Sequence, residues 1–409
     1  MKLFFVAQFL PYPLTDGTSI YIFNRVDRLR AHHDIVLFAP TRRSCDEEAL
    51  RFLQERRWVV ETISKPSGLS KFKAVMARLK ALSSSAPLHW VMGWDDVIGA
   101  AIERKIQVHK PDIVIVEHLA MTRFLPYIKR ATNAKLVLVD HNVESLWHAQ
   151  SARQFGFTLK GIIHRSQSGS VRKTERAMLG AFDMTIAISD TDRETLQQMV
   201  PSARVRFVPI GVDMGRFIPQ HDAEENDLIV FVGGLNVGTN VDGLKFLVHE
   251  ILPLVRQKHS GARVEIVGRA PTSSILALNN PPITKIIADV PDVRPYMARA
   301  AVCVVPIRPK SGVRLKILEG FAMAKAMVST SLAAEGLDVV DGEHLFIRDD
   351  AQSFADAIVK LLADKTERQR LGASALALAR KKYSWEAACA RFEENLAELT
   401  GNATCPQES

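Results

Sequence analysis

Cysteine is scarce in this chain: four in 409 residues (Cys45, Cys303, Cys389, Cys405), with no CxxC and no Cys/His pairing. That excludes a disulfide-framed scaffold, gives no support to a structural zinc site, and fits a reducing compartment. Long apolar runs are also missing; none approaches the ~18–20 residues that span a bilayer. Acidic residues are in deficit, 45 against 53 Lys and Arg, for a formal charge of +8. The surplus lies in residues 1–218, which hold 31 Lys and Arg against 21 Asp and Glu, whereas 219–409 hold 22 against 24. No compact basic recognition module accompanies it, so no nucleic-acid partner is expected. The asymmetry instead predicts a first half that faces something anionic, such as a phospholipid surface or a lipid-pyrophosphate.

What remains is ordinary globular composition, 47% hydrophobic and 24% charged. At roughly 100–200 residues per domain, the length implies two domains. The opening MKLFFVAQFLPYP has a short apolar core, Leu3–Leu10, and no small-residue cleavage site after it. It reads as a buried first strand rather than a signal peptide, and a cytoplasmic protein beginning at Met1 is expected.

Short Val/Ile/Leu runs alternate with amphipathic stretches. In the first half the strand candidates are Leu3–Phe9, Ile35–Phe38, Ile113–Val116, Leu136–Val139 and Met184–Ile188. In the second they are Leu228–Val232, Val264–Val267, Lys285–Ile287, Val302–Val305 and Ala326–Ser329, with helical patterns at Asp242–Lys258 and Val313–Ala324. Continuous apolar runs suit strands covered on both faces, so the alternation predicts an α/β chain of two Rossmann-like, doubly wound domains. The Pro- and Gly-punctuated seam RFVPIGVDMGRFIP predicts domains at 1–212 and 213–384. Ligands of such sheets bind beyond the carboxyl ends of the strands, so functional loops are sought there.

The segment VPIGVDMGRF, with PYPLTDG, VDHNVES, AISDTDRE, FVGGLNVGTNVDGLKF, VEIVGRAP, ADVPDVRPYMARAAVCVVP and SGVRLKILEGFAMAKAMVST in order, resembles family-4 (group 1) retaining glycosyltransferases of the GT-B fold. Within them it is most similar to bacterial sugar transferases of polysaccharide assembly. The resemblance implies an acceptor-binding first domain and a nucleotide-sugar-binding second domain facing each other across a cleft. A final helix, 385–400, would return to the first domain.

On residues alone, Gly312 permits close backbone approach beside a helix start whose free amides attract anions. Lys316 and Glu319 share one face of that helix. They read either as a surface ion pair or as a diphosphate cation with a ribose acceptor; the resemblance implies the second. Gly233 and Gly234 suit either a tight turn or an approaching phosphate. By resemblance Arg269 and Val290 lie where the nucleotide base binds; the Gly312 and Val313 backbone would take part in holding the donor sugar, and Arg314 or Arg269 would help Lys316 counter the phosphate charge. Asp16-Gly17 is a turn signal or an approach point for a phosphate. His141, after Leu136–Val139, matches the family's active-site histidine at the cleft rim, with Asn142 and Glu144 beside it. The chain departs from many members at Ser311, where they carry a second glutamate, and at Gly234 and Thr239, where they carry Arg and Lys.

The implied reaction is front-face transfer with retained anomeric configuration and no protein nucleophile, resting on positioning and leaving-group stabilisation. No cofactor or metal is expected; Asp95-Asp96 and Asp349-Asp350 read as surface turns. A non-catalytic nucleotide-sugar-binding scaffold and a nucleotide-sugar 2-epimerase are the rival readings. The basic amphipathic stretch 65–82 and the basic Lys160–Arg176 suit an anionic membrane surface or a domain helix.

Overall fold

The computed structural model describes residues 1–14, 16–41, 45–64, 96–220, 223–308 and 315–401. The chain divides into two compact units, Met1–Pro209 with Cys389–Ser409, and Ile210–Ala388.

The first unit is built on a seven-stranded parallel sheet, β1 (Lys2–Val6), β2 (Asp34–Thr41), β3 (Val59–Ser64), β4 (Ile113–Glu117), β5 (Lys135–Asp140), β6 (Met184–Ala187) and β7 (Val205–Phe207), in the order β3-β2-β1-β4-β5-β6-β7. β1 and β4 carry FFV and IVIV, buried on both faces, because helices cover the sheet front and back. The crossover direction reverses between β1 and β4. Phe4, Ile102, Val114, Met121 and Leu138 belong to one core on this sheet.

The second unit repeats the plan with six parallel strands, β8 (Glu225–Val232), β9 (Arg263–Gly268), β10 (Thr284–Ala288), β11 (Ala300–Val305), β12 (Met327–Ser329) and β13 (Phe346–Ile347). Their order is β10-β9-β8-β11-β12-β13, so the reversal falls between β8 and β11. Phe231, Leu247, Ile266, Val304, Phe354 and Ile358 anchor its core. The expected helix over Asp242–Lys258 forms as Gly238–Phe246 continued through Leu252–Lys258.

Trp385–Thr400 is the last helix. Its first turn belongs to the second unit, where Trp385 is buried so closely against Gly211 that a Cβ there would fall 2.4 Å from its ring. From Cys389 onward it belongs to the first unit. There Phe392 lies under the Arg25 guanidinium, and Glu398 takes Arg204 and Arg206.

Candidate functional site

The two reversals in strand order mark where loops diverge and a ligand can enter. In the second unit the loop after β8 starts with Gly233, whose N–H donates to Val267 O at 3.0 Å. Gly268 makes that approach possible, since a Cβ there would lie 1.7 Å from Gly233 O. Leu235 N donates to Arg269 O at 2.8 Å, and Asp289 N to Gly268 O at 2.8 Å. Asp289 also accepts from Ala270 N at 2.8 Å. The ends of β8, β9 and β10 are thereby locked into one rim.

Lys316 reaches this rim from the Leu315–Ala322 helix. Its Nζ donates to Asn240 Oδ1 at 3.1 Å and sits 4.1 Å from the centroid of the Phe231 ring. The missing side chain of Gly233 gives it room: a Cβ there would stand 2.5 Å from Nζ and 3.0 Å from Asn240 Nδ2. Asn240 Nδ2 in turn donates to Gly234 O at 2.8 Å, fixing the loop. A cation is thus held on an aromatic face beside a glycine wall, an arrangement suited to an anion that approaches backbone.

Glu319 lies one turn beyond Lys316. Burial pushes its carboxyl up to about 7, against the pull of Lys316 and Arg216. Arg216 was not singled out from the sequence, although it stands in the seam segment. Asp213 Oδ1 accepts from Gly215 N and Arg216 N, both at 3.0 Å, and Arg294 donates to Arg216 O at 2.9 Å. Of the other expected residues, Arg269 is exposed and Val290 half-buried, tied to the rim through their backbone neighbours rather than to Lys316. Thr239 leaves its hydroxyl without a hydrogen bond, a polar atom at the start of the Gly238–Phe246 helix. Ser311, Gly312, Val313 and Arg314 lie outside the described residues.

The first unit places different chemistry at its own reversal. Asp16 caps the Gly17–Leu29 helix through Ser19 N at 3.0 Å, and a Cβ at Gly17 would meet nothing within 4 Å. Packing therefore does not require glycine at 17, and the space beside it is open. From that helix Arg25 reaches Glu117, the last residue of β4, in a fully buried ion pair. The other oxygen of Glu117 meets His141 Nε2 at 3.0 Å. Tyr21 approaches the His141 ring edge-on at 5.0 Å, and His118 stacks on it at 3.8 Å.

His141, expected at the cleft rim, is 4% exposed within the first unit. The His141 side chain turns inward, where Glu117 from the neighbouring strand offers a buried acceptor. Burial, followed by the Arg25 charge, lowers its pKa to about 3, so the imidazole is neutral. With Nε2 donating to the Glu117 carboxylate, Nδ1 is left as an acceptor. Burial raises the Glu117 carboxyl itself, and the Arg25 charge opposes that rise.

Glu117, Arg25 and His118 went unread in the sequence. The available signal was an acid–histidine pair immediately after an apolar strand. His118 adopts φ 73° and keeps a buried Nε2 without a hydrogen-bond partner. Asn142 is exposed. Glu144 opens the Glu144–Phe155 helix, and burial with the Glu175 charge raises its pKa to about 7. Asp96 accepts from the Tyr127 hydroxyl and Asp350 caps the Ala351–Ala363 helix, so both serve local structure.

Residues 65–82 lie outside the described residues. The basic stretch Lys160–Arg176 falls on the Leu159–Leu179 helix, near which Phe157, Leu159 and Ile162 are exposed. Among the described residues, no helix is long and apolar enough to cross a membrane.

Comparison with known proteins agrees with this geometry. Residues 15–216 match the model of Glycosyltransferase Family 4, and residues 226–364 match Glycosyl transferases group 1. An uncharacterized 44.6 kDa protein in the cps region of Klebsiella pneumoniae is 22% identical over 96% of this chain and 100% of its own. Sucrose-phosphate synthase from Thermosynechococcus elongatus superposes with a TM-score of 0.70 at 15% identity, covering 98% of this chain and 100% of that one. HepE of Anabaena, solved in complex with UDP, gives 0.69 at 13% identity, covering 97% of this chain and 100% of its own. HepE has also been solved in complex with UDP-glucose. With two parallel sheets of this order and the two family models together matching most of its length, the chain belongs to the family-4, group 1 glycosyltransferases of the GT-B fold.

Proposed function

We propose that this glycosyltransferase is a retaining, hexosyltransferase-like enzyme that moves a sugar from a nucleotide-sugar donor to a glycan or lipid-linked acceptor in surface polysaccharide assembly. The observation that carries the donor site is the Lys316 ammonium held over Phe231 beside the side-chain-free Gly233. The donor diphosphate lies against Lys316 and the Gly233-Gly234 backbone, with Arg314 adding charge. Glu319, poised near neutrality, accepts from the ribose. The base lies along Arg269 and Val290, and the sugar along Gly312 and Val313. HepE binds UDP and UDP-glucose on the same fold, which supports a nucleotide diphosphate here.

The first unit supplies the acceptor side. Neutral His141, with Nδ1 free to accept, holds a sugar hydroxyl, and Gly17 leaves open space for a phosphate to approach. The lysine, the glycine loop and the helix start counter the leaving-group charge without a metal, and the departing diphosphate takes the acceptor proton. The cps-region relative supports the polysaccharide setting. The basic first half supports a cytoplasmic enzyme working against the inner face of the cell membrane, where a lipid-linked acceptor would present itself.

The test incubates the protein with a panel of nucleotide sugars and lipid-linked acceptors, reading nucleoside diphosphate release and the anomeric configuration of the product by NMR. One donor giving a product with the donor's configuration is expected. An inverted product overturns retention. Donor binding without diphosphate release from any acceptor favours a scaffold, and an epimerised donor favours the epimerase.

A further inference from the structure

At the other ends of the first sheet's strands, away from His141, lies a second candidate site. A cavity of about 550 Å³ opens at the amino ends of β1, β2 and β3, lined by Lys2, Arg30, His33, Arg56, Arg57 and His109 among others. β1 is five residues long, so at about 3.3 Å per residue the cavity stands on the order of 15 Å from the carboxyl end of that strand. It is of a size that takes a small organic ligand.

Four permanent cations face one lining carboxylate, Asp34. Arg30 has Asp27 at 3.5 Å and donates to Arg56 O at 2.7 Å, while Arg56 stacks over Phe52. Among the described residues, no carboxylate pairs with Lys2, Arg56 or Arg57. The nearby acids are committed elsewhere: Glu61 to Lys105 and His109, Glu393 to His32 and His33. Asp112 accepts from the Lys2 backbone N–H. Like charges crowded without partners repel one another, and an anion relieves that repulsion.

A second observation points to a ligand. Arg30 lines this cavity, and its buried Nε–H has no hydrogen-bond partner. Buried polar groups are ordinarily satisfied, and an N–H left over at a cationic cavity fits a missing acceptor. We propose that this cavity binds a phosphate-bearing ligand, a compact phosphorylated metabolite or the phosphate of an anionic lipid headgroup, independently of the nucleotide site.

The test follows backbone amide signals of the full chain during titration with pyrophosphate and with glucose 6-phosphate. Three proteins are compared: wild type, Arg56→Gln/Arg57→Asn, and Lys316→Ala. Asparagine tolerates the φ of 60° found at Arg57, and the Arg56 change keeps the backbone oxygen that Arg30 uses. Saturable shifts at Lys2, Asp34 and Val59 are expected in wild type and in Lys316→Ala, with at least a ten-fold weaker Kd in the double variant. A parallel arm sediments the proteins with phosphatidylglycerol or phosphatidylcholine vesicles. Binding to phosphatidylglycerol alone, lost in the double variant, assigns the phosphate to a lipid; soluble binding alone assigns it to a metabolite. The proposal is overturned if neither arm shows saturable binding, if sodium chloride reproduces the shifts, or if Lys316→Ala abolishes them.

Discussion

The two units share a sheet plan yet place opposite kinds of group at the point where strand order reverses. In the first, an arginine, a glutamate and a histidine form a buried cluster on which His118 stacks, with His141 held neutral. In the second, one lysine stands on a ring face beside glycine, and its neighbouring glutamate sits near neutrality. The first arrangement fixes geometry through mutual dependence. The second leaves room for a ligand's charge. Substitutions should therefore damage the first through folding and the second through binding.

The largest effect expected is at Arg25. Arg25→Leu strands Glu117 in the core and should cost about 3–5 kcal/mol of first-unit stability, as removal of one partner from a buried ion pair does. Arg25→Leu/Glu117→Leu should recover part of that loss. Urea unfolding read by probes in each unit would check both, since two-unit chains need not unfold in one step. Equal losses in the single and double variants would argue that shape, not charge, makes the cluster.

Next come the glycines of the second rim. Gly268→Ala drives a Cβ into the Gly233 carbonyl, backbone against backbone, and should cost roughly 1–3 kcal/mol or more. Gly233→Ala meets chiefly the far end of Lys316 and the Asn240 amide, with the Phe231 ring edge at 3.3 Å, so stability should change by about 1 kcal/mol. Nucleotide affinity should nevertheless fall about ten-fold, because the ammonium is displaced. Calorimetry beside thermal melts separates the two; unchanged affinity in folded Gly233→Ala would place the phosphates elsewhere.

Two further effects are expected in pH dependence, and they have opposite signs. The Glu319 pKa is raised to about 7, so the stability its protonation lends is full below about 4.5 and is lost as pH rises through 7. The His141 pKa is lowered to about 3, so its contribution is full above about 6.5 and is lost as pH falls toward 3. Glu319→Gln should flatten the loss between about pH 4.5 and 7 in the second unit, and His141→Asn the acid loss in the first. Stability profiles of each variant over that range would show it; parallel profiles with wild type would contradict the assigned environments.

The central strands were legible because their apolar runs are continuous, a direct consequence of burial on both faces. The strands missed were β3, whose VVETIS is only half-buried at a sheet edge, and the short β7 and β13. That Lys316 and Glu319 share one helix was readable because their spacing is local. Arg25 and Glu117 were not: 92 residues separate them, and only the fold makes them partners. The same holds for His141, whose position after a strand is visible in sequence while its inward turn depends on an acceptor from a neighbouring strand.

The most direct test of the account is calorimetric titration of nucleoside diphosphates and nucleotide sugars into wild type and Lys316→Ala, with melts alongside. A donor at about 100 times its Kd should add ~2.7 kcal/mol of stability to the wild type. One nucleotide that binds and stabilises the wild type, and does neither for folded Lys316→Ala, is the expected result. Equal binding by both proteins, or none by well-folded wild type, would contradict the donor site at Lys316.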